Sequence, residues 1–534
     1  VENVTVTNSS VTGSGDRAAG IAGQAVNSTF KNVSFQGTVT STVAKSTTNN
    51  DGVFSAASAN VGGFVGLSTG ESTYTECSTD VTVTANDSDF AGFAGHVQGT
   101  VTFTDCSAKA IVNSKQNQKN RCAAFVGYSE AVATYTRCSV LEGSQVNDVS
   151  ELTNNRLMLV GGFMGYAGGT SVTADGCSVN VKMNCPKGQT VGGFVGNAGT
   201  GVFKASNCSV AGEIIGNNQV AGFIAYQEKA ASVEISTSYS TAPVTGGGHY
   251  TSGFAGYLVN VADKPIKLTD CYATGNVTST GSSCAGFLGR SESNVELTRC
   301  YATGNIEAKN NVAGVLGYHN SGTATLTDCH YDGETLNASS SAGGIIGTNN
   351  TDATAVLTGC YSSGSLSATG SHVAGILGAA SGTSHSFTDC YTTMDVYTTA
   401  GTNVGAIVGS GIGAITMTNC YAECDVASDY YNSQTRDGRV GGLVGRHKAE
   451  LTMTGCHYNG TVKGDYYVGG LIGYCEGKAA SINKCYAQGT VMAYNDNQGY
   501  GRYHGGMIGC SSGSNSQVTI ENSWAAVSVS GEQF

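Results

Sequence analysis

Short runs of β-branched, aromatic and other apolar residues alternate with Gly, Ser, Asn and Asp along this chain of 534 residues. A typical run is "VGGFVG" at 61–66, and the next one leads to Cys77. No segment carries apolar residues at the spacing of three and four that an amphipathic helix needs. The pattern therefore predicts an all-β protein built from short strands and turns.

One small phrase, V-G/A-G-apolar-apolar-G, recurs in sixteen copies, mostly 28 to 33 residues apart. A second phrase, apolar-T-x-C-Y/H/S-x-x-G-x-V, follows each copy of the first. The first phrase opens at Ala19, Val61, Phe90, Cys122, Val160, Val191, Val220, Thr251, Cys284, Val312, Ala342, Val373, Val404, Val440, Val468 and His504. A fixed period of this length indicates stacked structural units rather than separate globular cores.

A coil of about 30 residues with two or three short strands cannot bury its own apolar face, so it must stack on copies of itself. Like strands then pair with like strands in parallel. We therefore predict a single-stranded parallel β-solenoid, or β-helix, of about sixteen coils. We expect it to be right-handed and to form one continuous domain over residues 1–534, open at both ends.

Most of the Cys residues share one position in the repeat. Thirteen of the 19 Cys fill the Cys slot of the second phrase, at 77, 106, 138, 177, 208, 271, 300, 329, 360, 390, 420, 456 and 485. Side chains in register point the same way rather than at each other, so we expect buried, reduced thiols that pack as small apolar groups. Cys475 and Cys510 lie off this file and are the best candidates for a disulfide.

The sequence does not decide which way the apolar side chains of "VGGFVG" point. Strict alternation places Val61 and Val65 on one face and Phe64 on the other. A bend at the Gly pair would instead bring Phe64 inside as well.

Charge excludes some classes of partner. The net charge is -12, from 26 basic and 38 acidic residues, and no run of Lys or Arg suggests nucleic-acid binding. No apolar stretch approaches the roughly 20 residues of a membrane span. We expect no nucleic-acid partner and no membrane span in this segment.

The phrases "VGGFVG", "CAGFLG" and "VGGLVG", followed by "T-x-C-Y-A-T-G-N-V", resemble the GLUG repeat of large secreted and cell-surface bacterial proteins. The resemblance runs from about residue 18 to residue 530. It implies an extracellular location and an adhesin or stalk-like context, and it carries over no catalytic residue. We expect no enzyme activity, no cofactor and no metal site.

Four stretches after the Cys phrase are longer than in the other coils, at about 40–60, 142–159, 427–439 and 492–503. Loops on one edge of a solenoid commonly form a binding face. The last two, with the coil between them, carry the candidate binding residues Tyr430, Tyr431, Arg439, Tyr466, Tyr467, Tyr494, Tyr500, Arg502 and Tyr503. Aromatic faces beside polar donors suit a glycan or a host surface protein. Alternatively, these tyrosines only fold their loops back onto the solenoid.

The residue after the Cys slot predicts an aromatic ladder. It is Ser in early copies and aromatic or His in ten consecutive later ones: Tyr239, Tyr272, Tyr301, His330, Tyr361, Tyr391, Tyr421, His457, Tyr486 and Trp524. Such stacking stabilises neighbouring coils, and a ladder that faces water would also offer an extended platform for a ligand.

The sequence favours an extracellular structural and adhesive rod, a stalk or ligand-presenting segment of a bacterial surface adhesin. Neither end shows a polar cap, so we expect partners in flanking domains, further coils or end-to-end self-association. One alternative is a polysaccharide-degrading β-helix enzyme, with acids such as Asp105 on neighbouring coils, although Arg137 beside it favours an ion-pair row. The other is a subunit of an end-to-end extracellular filament.

Overall fold

A computed structural model describes residues 1–42, 59–85, 88–115, 120–150, 156–199, 201–228, 232–259, 266–430, 437–495, 503–512 and 517–533. All regular elements within these ranges are β-strands. They cluster into an N-terminal unit, Val1–Asn276, and a C-terminal unit, Val277–Phe534. The predicted fold class is confirmed: the chain is a parallel β-solenoid with about 14 turns of ~31 residues.

The turn count is slightly lower than the sixteen coils expected. The first phrase opens a turn that includes residues 43–58, and the last phrase opens one that includes residues 513–516. Both ranges lie outside the described residues. The right-handed sense and the single continuous domain stay predictions.

Each coil of the N-terminal unit has up to three kinds of strand. Glycine strands carry the Gly phrase: Arg17–Ala19, Ala59–Gly62, Ser88–Ala91, Asn120–Ala123, Arg156–Gly161, Gly188–Gly192, Gln219–Ala221 and Thr251–Ser252. Middle strands follow it: Ala22–Val26, Val65–Thr69, Glu71–Thr75, Ala94–Thr104, Val126–Thr136, Met164–Ala167, Ser171–Asp175, Val195–Ala198, Val202–Ser206, Ile224–Gln227, Ser232–Ser236, Ala255–Val259 and Ile266–Thr269. Slot strands follow the Cys slot: Ser78–Ala85, Ser107–Ser114, Ser139–Asp148, Ser178–Asn184, Ser209–Gly216, Tyr239–Ser240, Val244–Gly246 and Tyr272–Ala273. Glu2–Gly13 and Thr29–Ser41 run through the slot.

The C-terminal unit repeats this order. Its glycine strands are Cys284–Ala285, Asn310–Ala313, Ser340–Gly343, Val373–Ala374, Asn403–Gly405, Arg439–Gly441, Tyr467–Gly469 and Tyr503–Gly505. Its middle strands are Leu288–Glu292, Val295–Thr298, Leu316–Thr327, Ile346–Thr358, Leu377–Ala380, Ser384–Thr388, Val408–Gly411, Ala414–Thr418, Val444–His447, Leu451–Thr454, Ile472–Glu476, Ala480–Asn483, Ile508–Ser512 and Val518–Glu521. Its slot strands are Val277–Ser279, Tyr301–Ala302, Ile306–Glu307, His330–Tyr331, Thr335–Ala338, Tyr361–Ser362, Ser365–Ala368, Tyr391–Thr392, Asp395–Thr398, Tyr421–Glu423, Val426–Ser428, His457–Gly464, Tyr486–Asn495 and Trp524–Gln533.

Parallel pairing places like residues of successive coils side by side. Val61 pairs with Phe90 and Phe90 with Cys122, and the same register continues through the glycine strands of both units. One phrase boundary was wrong, because Ala18 rather than Ala19 pairs with Val61. Alternation along that strand turns the Ala18 side chain into the core, where it is buried.

A bend at the Gly pair decides which way the phrase faces. Val61, Phe64 and Val65 are all fully buried, so both sides of the bend contribute to the core. In the N-terminal unit, the phrase phenylalanines stack at centroid distances of 4.7 to 4.9 Å, from Phe64 through Phe93 to Phe254. The core is therefore organised as files of identical side chains.

The thiols of the Cys slot are buried and unbridged, as predicted. Several of these thiols link two coils by weak hydrogen bonds. Cys106 Sγ lies 3.4 Å from the carbonyl oxygen of Thr104, in its own coil, and 3.4 Å from that of Tyr74, in the preceding coil. The suggested disulfide between Cys475 and Cys510 was wrong, since both thiols are free. Cys475 pairs with Ser511 and Cys510 with Tyr474, so the one-residue offset points the two thiols to opposite faces.

Candidate binding groove

Two outward-facing positions flank every Gly phrase. The entry position lies one residue before the opening residue of the phrase, and the exit position lies six residues after that opening residue. The bend folds the phrase inward, and the backbone on its outer side becomes too crowded for a side chain. A Cβ on Gly66 would lie 2.8 Å from the carbonyl oxygen of Asn60 and 2.6 Å from that of Gly23. Entry and exit side chains therefore converge across the glycine.

We call the surface formed by these side chains the corner groove. In the N-terminal unit, the Arg121 guanidinium at an entry position lies 3.6 Å from the ring centroid of Tyr128 at the matching exit position. Polar side chains are buried there although they face outward: Asn60 is 8% exposed, Asp89 1% and Arg121 6%. Such burial shows that neighbouring side chains cover these polar groups along this side of the unit.

The corner groove of the C-terminal unit brings together three of the predicted binding residues. Arg439, Tyr467 and Tyr503 occupy entry positions in register. The Tyr467 and Tyr503 rings stack at 5.5 Å, and the exit residue Tyr474 lies 4.7 Å from Tyr467. The Arg439 guanidinium lies 5.3 Å from the Tyr474 ring centroid. Aromatic rings and a cation thus share one surface.

Among the described residues, three cations pair with two carboxylates in this part of the groove. Arg439 donates to Asp437 Oδ1 at 2.5 Å, and Arg446 donates to Glu476. Lys448 Nζ lies 3.6 Å from the second oxygen of Glu476. Partial burial alone would raise the pKa of Glu476, but the Arg446 hydrogen bond and the charges of Arg446, Lys448 and Arg439 hold it below its usual value.

A histidine next to these cations is held neutral. His372, an entry residue, has a lowered pKa because it is buried and because the charges of Arg446 and Arg439 disfavour its protonation. The cations that the described residues place on this surface are therefore Arg439, Arg446 and Lys448.

The other predicted binding residues do not meet there. Tyr466 is 4% exposed, and its ring packs 5.5 Å from that of Tyr467. Tyr430 is half-buried just after a slot strand, where its backbone N–H donates to Ser428 Oγ at 3.1 Å. Tyr431, Tyr500 and Arg502 lie outside the described residues, and Tyr494 lies in the strand Tyr486–Asn495 without a described side chain.

Sequence reasoning missed Tyr474 and Arg446, because it looked for binding residues only in the two Tyr-rich loops and at the matching place in the coil between them. The sequence nevertheless contains a pattern that could have identified these two residues. Large polar or aromatic residues recur seven positions apart around the Gly phrase, as in Arg439 and Arg446, or Tyr467 and Tyr474. This spacing joins an entry position to its exit position.

The aromatic ladder forms a continuous stack in the C-terminal unit. Its rings lie 4.5 to 4.9 Å apart and within 8° of parallel, from Tyr301 to Trp524. In the N-terminal unit, Tyr239 and Tyr272 stack at 4.8 Å. Each inner ring of the ladder has both faces covered by its neighbours, so the ladder presents ring edges to solvent.

The carboxylates on neighbouring coils form ion pairs. Arg137 donates two hydrogen bonds to Asp105, at 2.7 and 2.8 Å, and these hold the pKa of Asp105 below its usual value. No group of three or more His, Cys, Asp or Glu within the described ranges is placed to hold a metal ion. The same residues contain no helix that is long and apolar enough to span a membrane.

Comparison with known families supports the resemblance seen in the sequence. Residues 464–492 match the GLUG motif. The matched segment includes the groove residues Tyr467 and Tyr474 and the slot residue Cys485. No curated protein and no solved structure gives a significant match to the chain. The chain is thus a β-solenoid that carries a GLUG motif, a combination that fits an extracellular repeat protein.

Proposed function

We propose that this chain is an adhesive, ligand-presenting segment of a bacterial surface adhesin, located outside the cell. The observation that carries the proposal is the convergence of Tyr467, Tyr474 and Tyr503 with Arg439 in the corner groove of the C-terminal unit. Repeated stacking is well suited to present such a surface, because each coil adds entry and exit side chains in a fixed register.

The chemistry of this groove favours an acidic glycan. Sugar rings pack their C–H faces on tyrosine rings, and a guanidinium binds a sugar carboxylate through charge-assisted hydrogen bonds. Arg439, Arg446 and Lys448 are three cations paired with the two carboxylates of Asp437 and Glu476, and Tyr474 adds a hydroxyl that lies 2.6 Å from Ser512 Oγ. A uronate or another carboxylated sugar is the ligand class that matches these groups.

The proposal includes no catalytic role and no cofactor. Catalysis of glycoside cleavage needs a carboxyl group that is available to transfer a proton. Asp105 is engaged by Arg137, and Glu476 by Arg446. The ladder is not proposed as a sugar platform, because stacking covers the ring faces that a sugar would need.

A glycan array of neutral and acidic sugars, probed with the full chain, tests the proposal. We expect the wild type to bind carboxylated glycans, and Tyr474→Ala to weaken binding about tenfold, the effect of losing ~1.4 kcal/mol. Arg439→Gln should weaken it similarly and reduce its salt dependence, because a charge is removed.

Tyr391→Ala is the matched control, since it removes a half-exposed tyrosine from the ladder rather than from the groove. It should bind as the wild type does. If no glycan binds, or if Tyr391→Ala and Tyr474→Ala lose binding equally, the groove is not the adhesive site. Binding to a host protein but to no glycan would also reject the glycan assignment.

A further inference from the structure

We propose that the corner groove of the N-terminal unit is a second carbohydrate-binding site, and that it takes neutral sugars. The residues that carry this inference are Tyr166, Asn197, Tyr226 and Glu228. It shares with the proposed function only the class of ligand, and it depends on different residues in the other unit.

The exit positions from Tyr128 to Tyr257 form an aromatic wall with one short member, Asn197. Tyr166 pairs with Asn197, and Asn197 with Tyr226, which pairs with Tyr257. The rings of Tyr226 and Tyr257 lie 5.5 Å apart at 41°. Tilted rings leave part of each face uncovered, unlike the parallel rings of the ladder, and so remain suited to pack against a sugar ring.

Two glycines let Tyr166 lie low in the groove. A Cβ on Gly168 would lie 2.4 Å from Tyr166 Cε1, and one on Gly199 would lie 2.6 Å from the Tyr166 hydroxyl. The Tyr166 ring therefore lies across the backbone of two coils. This places its hydroxyl 3.4 Å from Glu228 Oε1.

The polar groups of the site are mainly hydrogen-bond acceptors. Asn197 Nδ2 donates to Glu228 Oε1 at 3.0 Å, the same oxygen that faces the Tyr166 hydroxyl. The backbone N–H of Glu228 donates to the carbonyl of Ala198 at 2.9 Å, which holds the backbone from which this carboxylate extends.

One acceptor in the groove is left without a partner. Asn197 is 3% exposed, and its Oδ1 is buried with no hydrogen-bond partner among the described residues. A buried oxygen without a donor costs free energy, which a donor from a ligand would recover. Sugar hydroxyls are such donors, and the carboxylate of Glu228 accepts from them as well.

Charge separates this site from the groove of the C-terminal unit. Glu228 and Glu476 both lie eight residues after the opening of their phrase. Glu476 is neutralised by Arg446 and Lys448, whereas the side chains that donate to Glu228 are the neutral groups of Asn197 and Tyr166. A carboxylate whose described donors are neutral repels a uronate but accepts hydrogen bonds from a neutral hexose.

Arg121, a cation in the same groove, does not change this assignment. Its guanidinium is bound at both ends of the Asp89 carboxylate, at 2.5 and 2.8 Å, and covers the Tyr128 ring. Its charge is therefore already balanced by a buried partner.

Titration calorimetry on the full chain, with a neutral hexose oligosaccharide and its counterpart oxidised to the uronate at C6, tests the inference. Tyr226→Ala and Glu228→Gln should weaken binding of the neutral sugar about tenfold or more, and leave uronate binding unchanged. Glu234→Gln is the matched control, because Glu234 is ion-paired to Lys204 on an outward face of a middle strand. The circular dichroism spectra and thermal melts of all three variants should match those of the wild type.

The inference is overturned if the neutral sugar does not bind, or if Tyr226→Ala and Glu228→Gln, both folded, bind it as the wild type does. Loss of uronate binding in Tyr474→Ala together with either of these results would reject only the second site. If Glu228→Gln loses neutral-sugar binding and Tyr474→Ala retains it, the second site is supported. This conclusion does not depend on whether the groove of the C-terminal unit binds a uronate.

Discussion

The residue before each Cys slot has an unusual backbone conformation that recurs along both units. Its φ is positive, for example 55° at Glu76, 52° at Asp105 and 49° at Thr237. Only Gly, and to a lesser degree Asn and Asp, adopt this left-handed conformation without appreciable strain. The Asp, Asn and Gly residues that fill this position in many coils therefore serve the turn, which gives a physical reason other than catalysis for the acids on neighbouring coils.

Thr237 is β-branched and should be strained at this position. We expect Thr237→Asn to raise the free energy of unfolding by roughly 0.5–1 kcal/mol, because Asn tolerates positive φ better. Urea unfolding followed by circular dichroism measures the change. Asn207 occupies the same position one coil earlier, so the side chain fits.

A substitution that introduces Thr at the same position of another coil is the control. Gly176 has a φ of 64°, and a Cβ added there would lie no closer than 3.4 Å to Arg137 Cγ, so Gly176→Thr tests the backbone with little steric conflict. It should lower stability by about 1–2 kcal/mol. A fall in stability with both variants would contradict the explanation.

At the scale of elements, strands of successive coils build files that differ in what they contribute. The Phe file of the N-terminal unit is fully buried, with Phe194 stacked at 4.8 Å on Phe163 and 4.7 Å on Phe223. The ladder of the C-terminal unit has a similar spacing but is half-exposed, with Tyr391 at 4.9 Å from Tyr361 and Tyr421. Burial, rather than stacking distance, should therefore set the stability that each file supplies.

Paired substitutions measure this difference. Phe194→Ala should cost about 3–5 kcal/mol of unfolding free energy, because it removes buried area and leaves a cavity. Tyr391→Ala should cost only ~1–2 kcal/mol, since it loses two stacking contacts of a residue that stays partly in water. Equal losses in denaturant unfolding would show that the ladder is as important to stability as the core.

At the scale of the whole molecule, histidines are buried or half-buried in both units. Burial lowers the pKa of His96, His319, His330, His372, His385, His447 and His457. For His319 and His385 the pKa falls to about 4. The folded chain therefore binds fewer protons than the unfolded chain in mildly acidic solution.

Stability should fall as the pH is lowered from about 6.5, the ordinary pKa of histidine, towards 4. The sign follows from linkage: the unfolded state takes up protons in this range and the folded state does not. His319→Asn should flatten the pH dependence by about one proton, and Asn349 already occupies the paired position in the next coil. Thr416→Asn, on an exposed position, should leave the slope unchanged. Unfolding midpoints from pH 7 to pH 4 decide the outcome, and constant stability across this range would contradict it.

The sequence by itself determined the parallel pairing and, apart from the first glycine strand, its register. Because the two phrases repeat in a fixed order, stacking the coils brings Val61 beside Phe90 and Tyr361 beside Tyr391, as the structure shows. The buried, unbridged Cys file follows from the same repetition, since residues at one repeat position share one environment.

Tertiary structure alone decided where side chains point after the Gly pair. The bend there turns Phe64 inward, and the offset of one residue sends Cys475 and Cys510 to opposite faces. The same bend brings Arg439 and Tyr467 against Tyr474. The spacing of seven residues marks the entry and exit positions but does not show that their side chains meet. A repeat fixes which residues are neighbours between coils, but the path of the backbone within one coil depends on dihedral angles that glycine leaves free.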